Sequence, residues 1–123
     1  MLVSSKPIKC LNWNLEWRTP RSAGGKWITQ KIGELYPDVS CLTEVTEALI
    51  PEGEVLRSDL DYGYKNKGDR RKVILWSREP WTEIDFVGDP ELPCGRFVSG
   101  VTLGIRFIGV CIPWQSAHVS TGR

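Results

Sequence analysis

Hydrophobic and polar positions along the chain fall into short blocks that switch between two periods. The run Ile8-Lys9-Cys10-Leu11-Asn12-Trp13-Asn14-Leu15 reads as a strand, apolar on both faces until it meets asparagine. Turn-forming residues follow in Thr19-Pro20-Arg21-Ser22-Ala23-Gly24-Gly25. Over residues 26–36, Ile28, Ile32 and Leu35 stand at i, i+4 and i+7, which is one face of a helix, and Pro37 ends it. Residues 38–45 form a second strand, so the β-α-β order predicts a parallel pair with a right-handed crossover. A helical turn is expected over 46–50, before Pro51, and a polar, mixed stretch follows to residue 69, with Tyr62 and Tyr64 at strand-like alternation. Residues 72–77 read as a strand with 81–87 as its neighbour, and 95–103 and 105–112 as two strands turned at Leu103-Gly104. The pattern is that of one continuous, strand-rich α/β unit without repeats or linkers.

A length of 123 residues suits about one domain, and 41% hydrophobic with 25% charged residues is ordinary for a globular chain. Sixteen Lys and Arg against fifteen Asp and Glu leave a net charge of +1, which excludes a polyanion binder that works by bulk charge and an acidic disordered tail. Six tryptophans need a core or a platform to sit in. No apolar run is long enough to span a membrane, and residues 1–7 lack the apolar segment of a secretory signal. Cys10, Cys41, Cys94 and Cys111 are far apart, and three of them lie in strand-like runs where a thiol serves as a small buried hydrophobe. A zinc site needs clustered Cys and His, and His118 is the single histidine. A reducing, cytoplasmic compartment is the default expectation.

Candidate chemistry gathers where the two predicted parallel strands end: Asn14 with Glu16 nearby on the first, Glu44 on the second. Open α/β sheets bind ligands at the carboxyl ends of their parallel strands. A carboxylate beside an amide is what a hard, oxygen-preferring cation takes, Mg²⁺ above all, with waters and a substrate phosphate completing its shell.

Those same residues carry a family resemblance. Ile8-Lys9-Cys10-Leu11-Asn12-Trp13-Asn14 looks like the opening strand of the endonuclease/exonuclease/phosphatase superfamily, an apolar strand closing in Trp-Asn. Pro37-Asp38-Val39-Ser40-Cys41-Leu42-Thr43-Glu44 resembles its second motif, Pro-Asp, an apolar run, then Leu-Gln-Glu. Val73-Ile74-Leu75-Trp76-Ser77-Arg78 resembles its strand closing in Ser-Arg, and Gly95-Arg96-Phe97-Val98 through Pro113 its Gly-Arg hairpin. The fold this implies is α/β, the first half of a two-sheet α/β sandwich, with residues 1–123 as the N-terminal part of a single domain.

The resemblance also implies roles. Glu44 matches the glutamate that ligates the catalytic divalent cation, Mg²⁺ with Mn²⁺ as its substitute, and Asn14 matches the asparagine that orients the phosphate. Glu16 falls where some nuclease members place a further acidic residue near the metal; a solvated carboxylate is the plainer reading. Arg96 stands at the Gly-Arg position as a substrate contact, with a structural salt bridge as the alternative. Cys111 departs from the His or Tyr that family members carry there, and His118 is the candidate to compensate. Trp17 and Arg18, with Arg21, lie on the loop bordering the implied cleft, where an aromatic beside arginines suits stacking and phosphate contact. The stretch Lys65-Asn66-Lys67-Gly68-Asp69-Arg70-Arg71-Lys72 suits a nucleic-acid backbone or, more plainly, a solvated loop.

The implied activity is metal-assisted hydrolysis of a phosphate ester, most simply a phosphodiester, with nucleic acid as a candidate substrate. The family's Gly-Asp-x-Asn motif, with its water-activating aspartate, and its late Asp-His pair do not occur in the sequence. The chain is therefore expected to lack the general base, to be inactive alone, and to expose an apolar sheet face that self-associates or meets a completing C-terminal half. The competing reading is a non-catalytic remnant or binding module that keeps half of the site.

Overall fold

The computed structural model describes residues 6–59, 69–86 and 95–112. Its first strand, β1 (Cys10–Asn14), lies parallel to β2 (Val39–Thr46), with Cys10 beside Val39 and Asn14 beside Thr43. Between them runs α1 (Ala23–Leu35). The helix starts earlier than its apolar periodicity predicts, because Ser22 caps it and accepts a hydrogen bond from Gly25 N at 3.0 Å. Gly24 and Gly25, read from sequence as turn residues, are thus its first turn. Gly25 fits for lack of a side chain, since a Cβ there would lie 1.7 Å from the Thr19 carbonyl oxygen. At the other end Tyr36 adopts a left-handed conformation (φ 50°) and returns its N–H to Ile32 O, after which Pro37 stops the helix. Ile28 and Ile32 are buried as expected, whereas Leu35 is exposed.

A single 3-10 turn (Glu47–Leu49) leads to β3 (Glu54–Arg57), and then comes β4 (Arg70–Ser77). The first sheet has the order β1-β2-β4-β3. The neighbour of β4 is therefore β3, which its polar composition hides; the 81–87 segment supplies β5 (Thr82–Asp85) to the other sheet instead. That sheet is completed by β6 (Phe97–Thr102) and β7 (Ile105–Val110), in the order β5-β6-β7. Leu103 (φ 55°) and Gly104 (φ 73°) make the expected two-residue turn, with the paired positive φ values that match the twist of a hairpin. The chain thus builds parts of two sheets rather than one whole sheet.

Two apolar layers hold this together. Leu15, Ile28, Ile32, Leu42, Val45 and Ile74 pack between α1 and the first sheet. Leu56, Val73, Leu75 and Val98 pack between the sheets, with Cys41, Trp81, Phe107 and Cys111 against them. The sheets approach closely: a Cβ at Gly109 would lie 2.9 Å from Val73 Cγ2. Ser77 and Thr102 hydroxyls bridge the same interface at 3.0 Å. The result is an α/β sandwich of helix, four-stranded sheet and three-stranded sheet.

Each sheet has two edge strands, β1 and β3 in the first and β5 and β7 in the second. β1 and β7 are edge strands, and a cleft of about 330 Å³ between them is lined by Leu11, Cys41, Leu75, Phe107 and Ile108 among others. Cys10 at the start of β1 is exposed, so of the described thiols only Cys41 and Cys111 are withdrawn from solvent. The tyrosines at 62 and 64 lie outside the described residues.

Candidate active site

The site forms where four strand ends meet. The carboxyl ends of β1 and β2, the start of β4 and the start of β6 share one end of the sandwich, with the residue following β7 beside them. Leu15 N donates to Thr43 O at 2.8 Å and Trp17 N to Glu44 O at 2.9 Å, so the parallel pair is zipped to its last residues. Asn14 Oδ1 accepts from Glu16 N at 2.9 Å, an Asx turn that leaves the amide NH₂ as a donor.

Glu44 itself has a left-handed backbone, φ 51°. The cause is visible in the packing: Leu42 and Val45 both belong to the helix-side layer although they are three positions apart, so the two-residue alternation slips between them. Glutamate is not a residue that favours this region, and such conformations collect at functional sites. On either side the ladder with β4 stays in register, Thr43 with Val73 and Val45 with Arg71, so Glu44 stands opposite Lys72.

Lys72, expected as the first residue of the strand over 72–77 and the last of the basic stretch, lies inside β4 and is 5% exposed, not solvated. Arg96 is equally buried, at 5%. The salt bridge expected as its alternative role is not formed among the described residues. Its Nη1 instead donates to Cys111 O at 3.1 Å and lies 4.0 Å from Cys111 Sγ, while Nε has no partner. The Cys111 thiol reports the whole cluster. Burial holds its pKa above the ordinary value, Arg96 and Lys72 pull it down, and the Glu44 carboxylate pushes it up. Glu44, Lys72, Arg96 and Cys111 therefore share one electrostatic environment.

Glu16 and Arg18 lie outside it. Their side chains are exposed and pair with each other at 3.4 Å, beside a cleft of about 400 Å³ between the end of β1 and α1 that Trp13, Asn14 and Trp27 also line. Trp17 is half-buried with φ 60°, and the Arg70 guanidinium sits 5.4 Å from its ring, so one aromatic–arginine pair does border the site. His118, Lys65 and Lys67 lie outside the described residues.

Among the described residues no three Cys, His, Asp or Glu side chains converge as a metal-ligand set. Glu44 is the one carboxylate among the charges that act on Cys111, so a cation there would take most of its ligands from water and substrate rather than from a protein cage. The strand expected over 72–77 begins two residues earlier, at Arg70, so Lys72 stands inside it next to the buried run Val73-Ile74-Leu75.

No protein-family model and no curated protein match the chain. Among solved structures it is similar to an AP endonuclease from Archaeoglobus fulgidus, at TM-score 0.60 and 21% sequence identity. The match covers 87% of this chain and 42% of that one, so the chain spans less than half the length of its structural neighbour. No described helix is long and apolar enough to cross a membrane. By sheet order, layers and this similarity, the chain has an endonuclease-like α/β sandwich fold, in part.

Proposed function

We propose that this chain is the N-terminal part of a metal-dependent phosphoesterase domain that hydrolyses phosphodiester bonds, with nucleic acid as the substrate class. The observation that carries the reading is Glu44. It stands in a strained backbone conformation at the carboxyl end of a parallel strand, beside Asn14, in an endonuclease-like sandwich.

The chain's own residues divide the work. Glu44 offers the anionic anchor for Mg²⁺ or Mn²⁺, and the Asn14 NH₂ donates to a phosphate oxygen while its Oδ1 is tied to Glu16 N. The Trp17–Arg70 pair presents an aromatic face and a cation at the rim, which suits a base and its backbone phosphate. When bound, a divalent cation supplies charge neutralisation at the phosphoryl oxygens and the leaving oxygen.

One observation favours a second reading. The 123-residue sequence does not contain the Gly-Asp-x-Asn motif with its water-activating aspartate. A binding module that keeps the cation and phosphate contacts, without turnover, is consistent with that.

Paramagnetic Mn²⁺ titrated into ¹⁵N-labelled protein tests the metal assignment apart from activity. Broadening is expected at the amides around residues 14–16 and 43–45, and Glu44→Gln is expected to remove it. Broadening confined to other acidic surfaces, or unchanged in the variant, refutes Glu44 as a ligand.

A further inference from the structure

We propose that Cys41 and Cys111 form a redox pair, which a peroxide oxidises to a disulfide that joins the two sheets. The inference needs neither a metal nor a phosphate and stands apart from the phosphoesterase reading.

The pairing follows from how the sheets meet. Cys41 stands on β2 in register with Leu75 of β4. Cys111 directly follows β7, and its N–H donates to Arg96 O at 2.9 Å, on the β6 side. Alternation along an antiparallel strand turns the Val110 N–H the other way, and the Cys41 thiol takes a hydrogen bond from it. Phe107, Gly109 and Cys111 share the face of β7 that looks at the first sheet. Both thiols accordingly pack against the same core residues, Leu56, Val73, Leu75 and Val98.

Stacked sheets ordinarily lie about 10 Å apart, whereas a disulfide spans roughly 4.4–6.8 Å between Cα atoms. Gly109 closes part of that difference at the right place. A Cβ there would lie 2.9 Å from Val73 Cγ2 and 3.2 Å from Leu75 Cδ2, so the backbone of β7 comes down onto β4 two residues before Cys111, beside the strand partner of Cys41. The cleft between β1 and β7 supplies the way in. It holds about 330 Å³ and is lined by Cys41 and Val110 together with Leu75 and Phe107, ample room for a peroxide little larger than water.

Cys41, which lines the cleft, meets the peroxide first. Its thiolate attacks one peroxide oxygen, so an S–O bond forms, the O–O bond breaks, and the hydroxide released takes up the thiol's proton as water. The Cys111 sulfur then attacks the sulfenic sulfur of Cys41. The S–S bond forms, the S–O bond breaks, and the hydroxyl leaves with the Cys111 proton as a second water. The two sulfurs give up two electrons in all, and one peroxide is reduced to two waters. Burial raises both thiol pKa values, so the first step is slow. The product ties β2 to the end of the β6–β7 hairpin, which closes a long loop of chain and restricts the unfolded state.

The test treats the folded chain, and a Cys10→Ser variant that removes the exposed thiol, with hydrogen peroxide. Remaining thiols are then alkylated, and the protein is digested without reductant for mass spectrometry. Cys41 and Cys111 peptides joined by a disulfide are expected as the main cross-linked product, within one chain, in both proteins. The oxidised Cys10→Ser protein is expected to melt roughly 10 °C higher and to return to its starting value on reduction. Cys111→Ser removes the resolving thiol, so dimedone is expected to trap a sulfenic acid at Cys41. Thiols at 41 and 111 that stay free, or that pair with Cys94 or with another chain instead, overturn the proposal, as does Cys111→Ser without an adduct at Cys41. Mapping on the unsubstituted chain keeps the test decisive even if a variant fails to fold.

Discussion

The same substitution, Gly→Ala, should have opposite effects at two positions of α1. At Gly25 the added Cβ would meet Thr19 O at 1.7 Å and Ser22 Oγ at 3.1 Å. A backbone oxygen cannot rotate away, so the first helical turn must move and the Ser22 cap bond to Gly25 N is lost with it. Losing the cap costs about 1 kcal/mol. Forcing the extra methyl into filled space costs roughly 1–3 kcal/mol. Alanine's better helix propensity returns about 1 kcal/mol. The net expectation is about 2 kcal/mol of destabilisation. Gly33 is exposed on the same helix with nothing within 4 Å of an added Cβ, so there only the propensity gain remains. Gly33→Ala is expected to stabilise by about 1 kcal/mol. Urea unfolding followed by tryptophan fluorescence measures both, and equal slopes would confirm that the unfolded state is unchanged. The melting temperatures of the two variants should separate by more than ~10 °C for a domain of this size. A Gly25→Ala protein as stable as the parent, or two variants that shift the same way, refutes the packing at the helix start.

Two further expectations concern the thiols and the open edge. Burial raises the Cys41 thiol pKa, with a contribution from Cys111, and raises that of Cys111. A pKa raised on folding favours the protonated thiol, so this stabilisation is complete below the ordinary value of 9.0 and is lost as pH rises through the folded values. Alkylation by iodoacetamide, followed by mass spectrometry, should accordingly label exposed Cys10 before Cys41 and Cys111, and equal rates would contradict the burial. Ile108 on edge strand β7 is 59% exposed, and Ile105 beside the hairpin turn is exposed too. Ile108→Lys should reduce any concentration-dependent association seen by sedimentation while leaving the melting temperature within a few degrees, since a charge on an edge blocks strand pairing. Association unchanged by the substitution would place the contact elsewhere.

How far the sequence goes can be judged element by element. The helix face of Ile28 and Ile32, the Pro37 stop, the parallel β1–β2 pair and the Leu103-Gly104 turn follow from local periodicity and turn chemistry, and all are present. What fails is information held between elements. β3 is short and polar on its exposed positions, so no alternation marks it, and β5 joins β6 rather than β4 because sheet membership depends on distant pairing. The helix start was hidden by glycines that suit a turn equally well and are needed here for contact with Thr19. At the site, Asn14 and Glu44 were legible because strand ends are. The strand position of Lys72 is legible too, but its burial is not, because a lysine next to arginines looks solvated until the partner strand lies beside it.

The spread of the charged cluster along the chain has a kinetic meaning. Glu44 on β2, Lys72 on β4 and Arg96 just before β6 are tens of residues apart in the chain. The β6–β7 hairpin closes across two residues and needs no distant partner, so it is placed to form early. The cluster, by contrast, exists only after the two long chain separations between these residues have closed and the sheets have docked. Amide exchange at Glu44 and Lys72 is therefore expected to occur only through opening of the whole sandwich, and at the tip of the hairpin through local fraying. A ligand that fastens on this cluster grips the last part of the molecule to assemble, and its binding energy is added to the stability of every element at once.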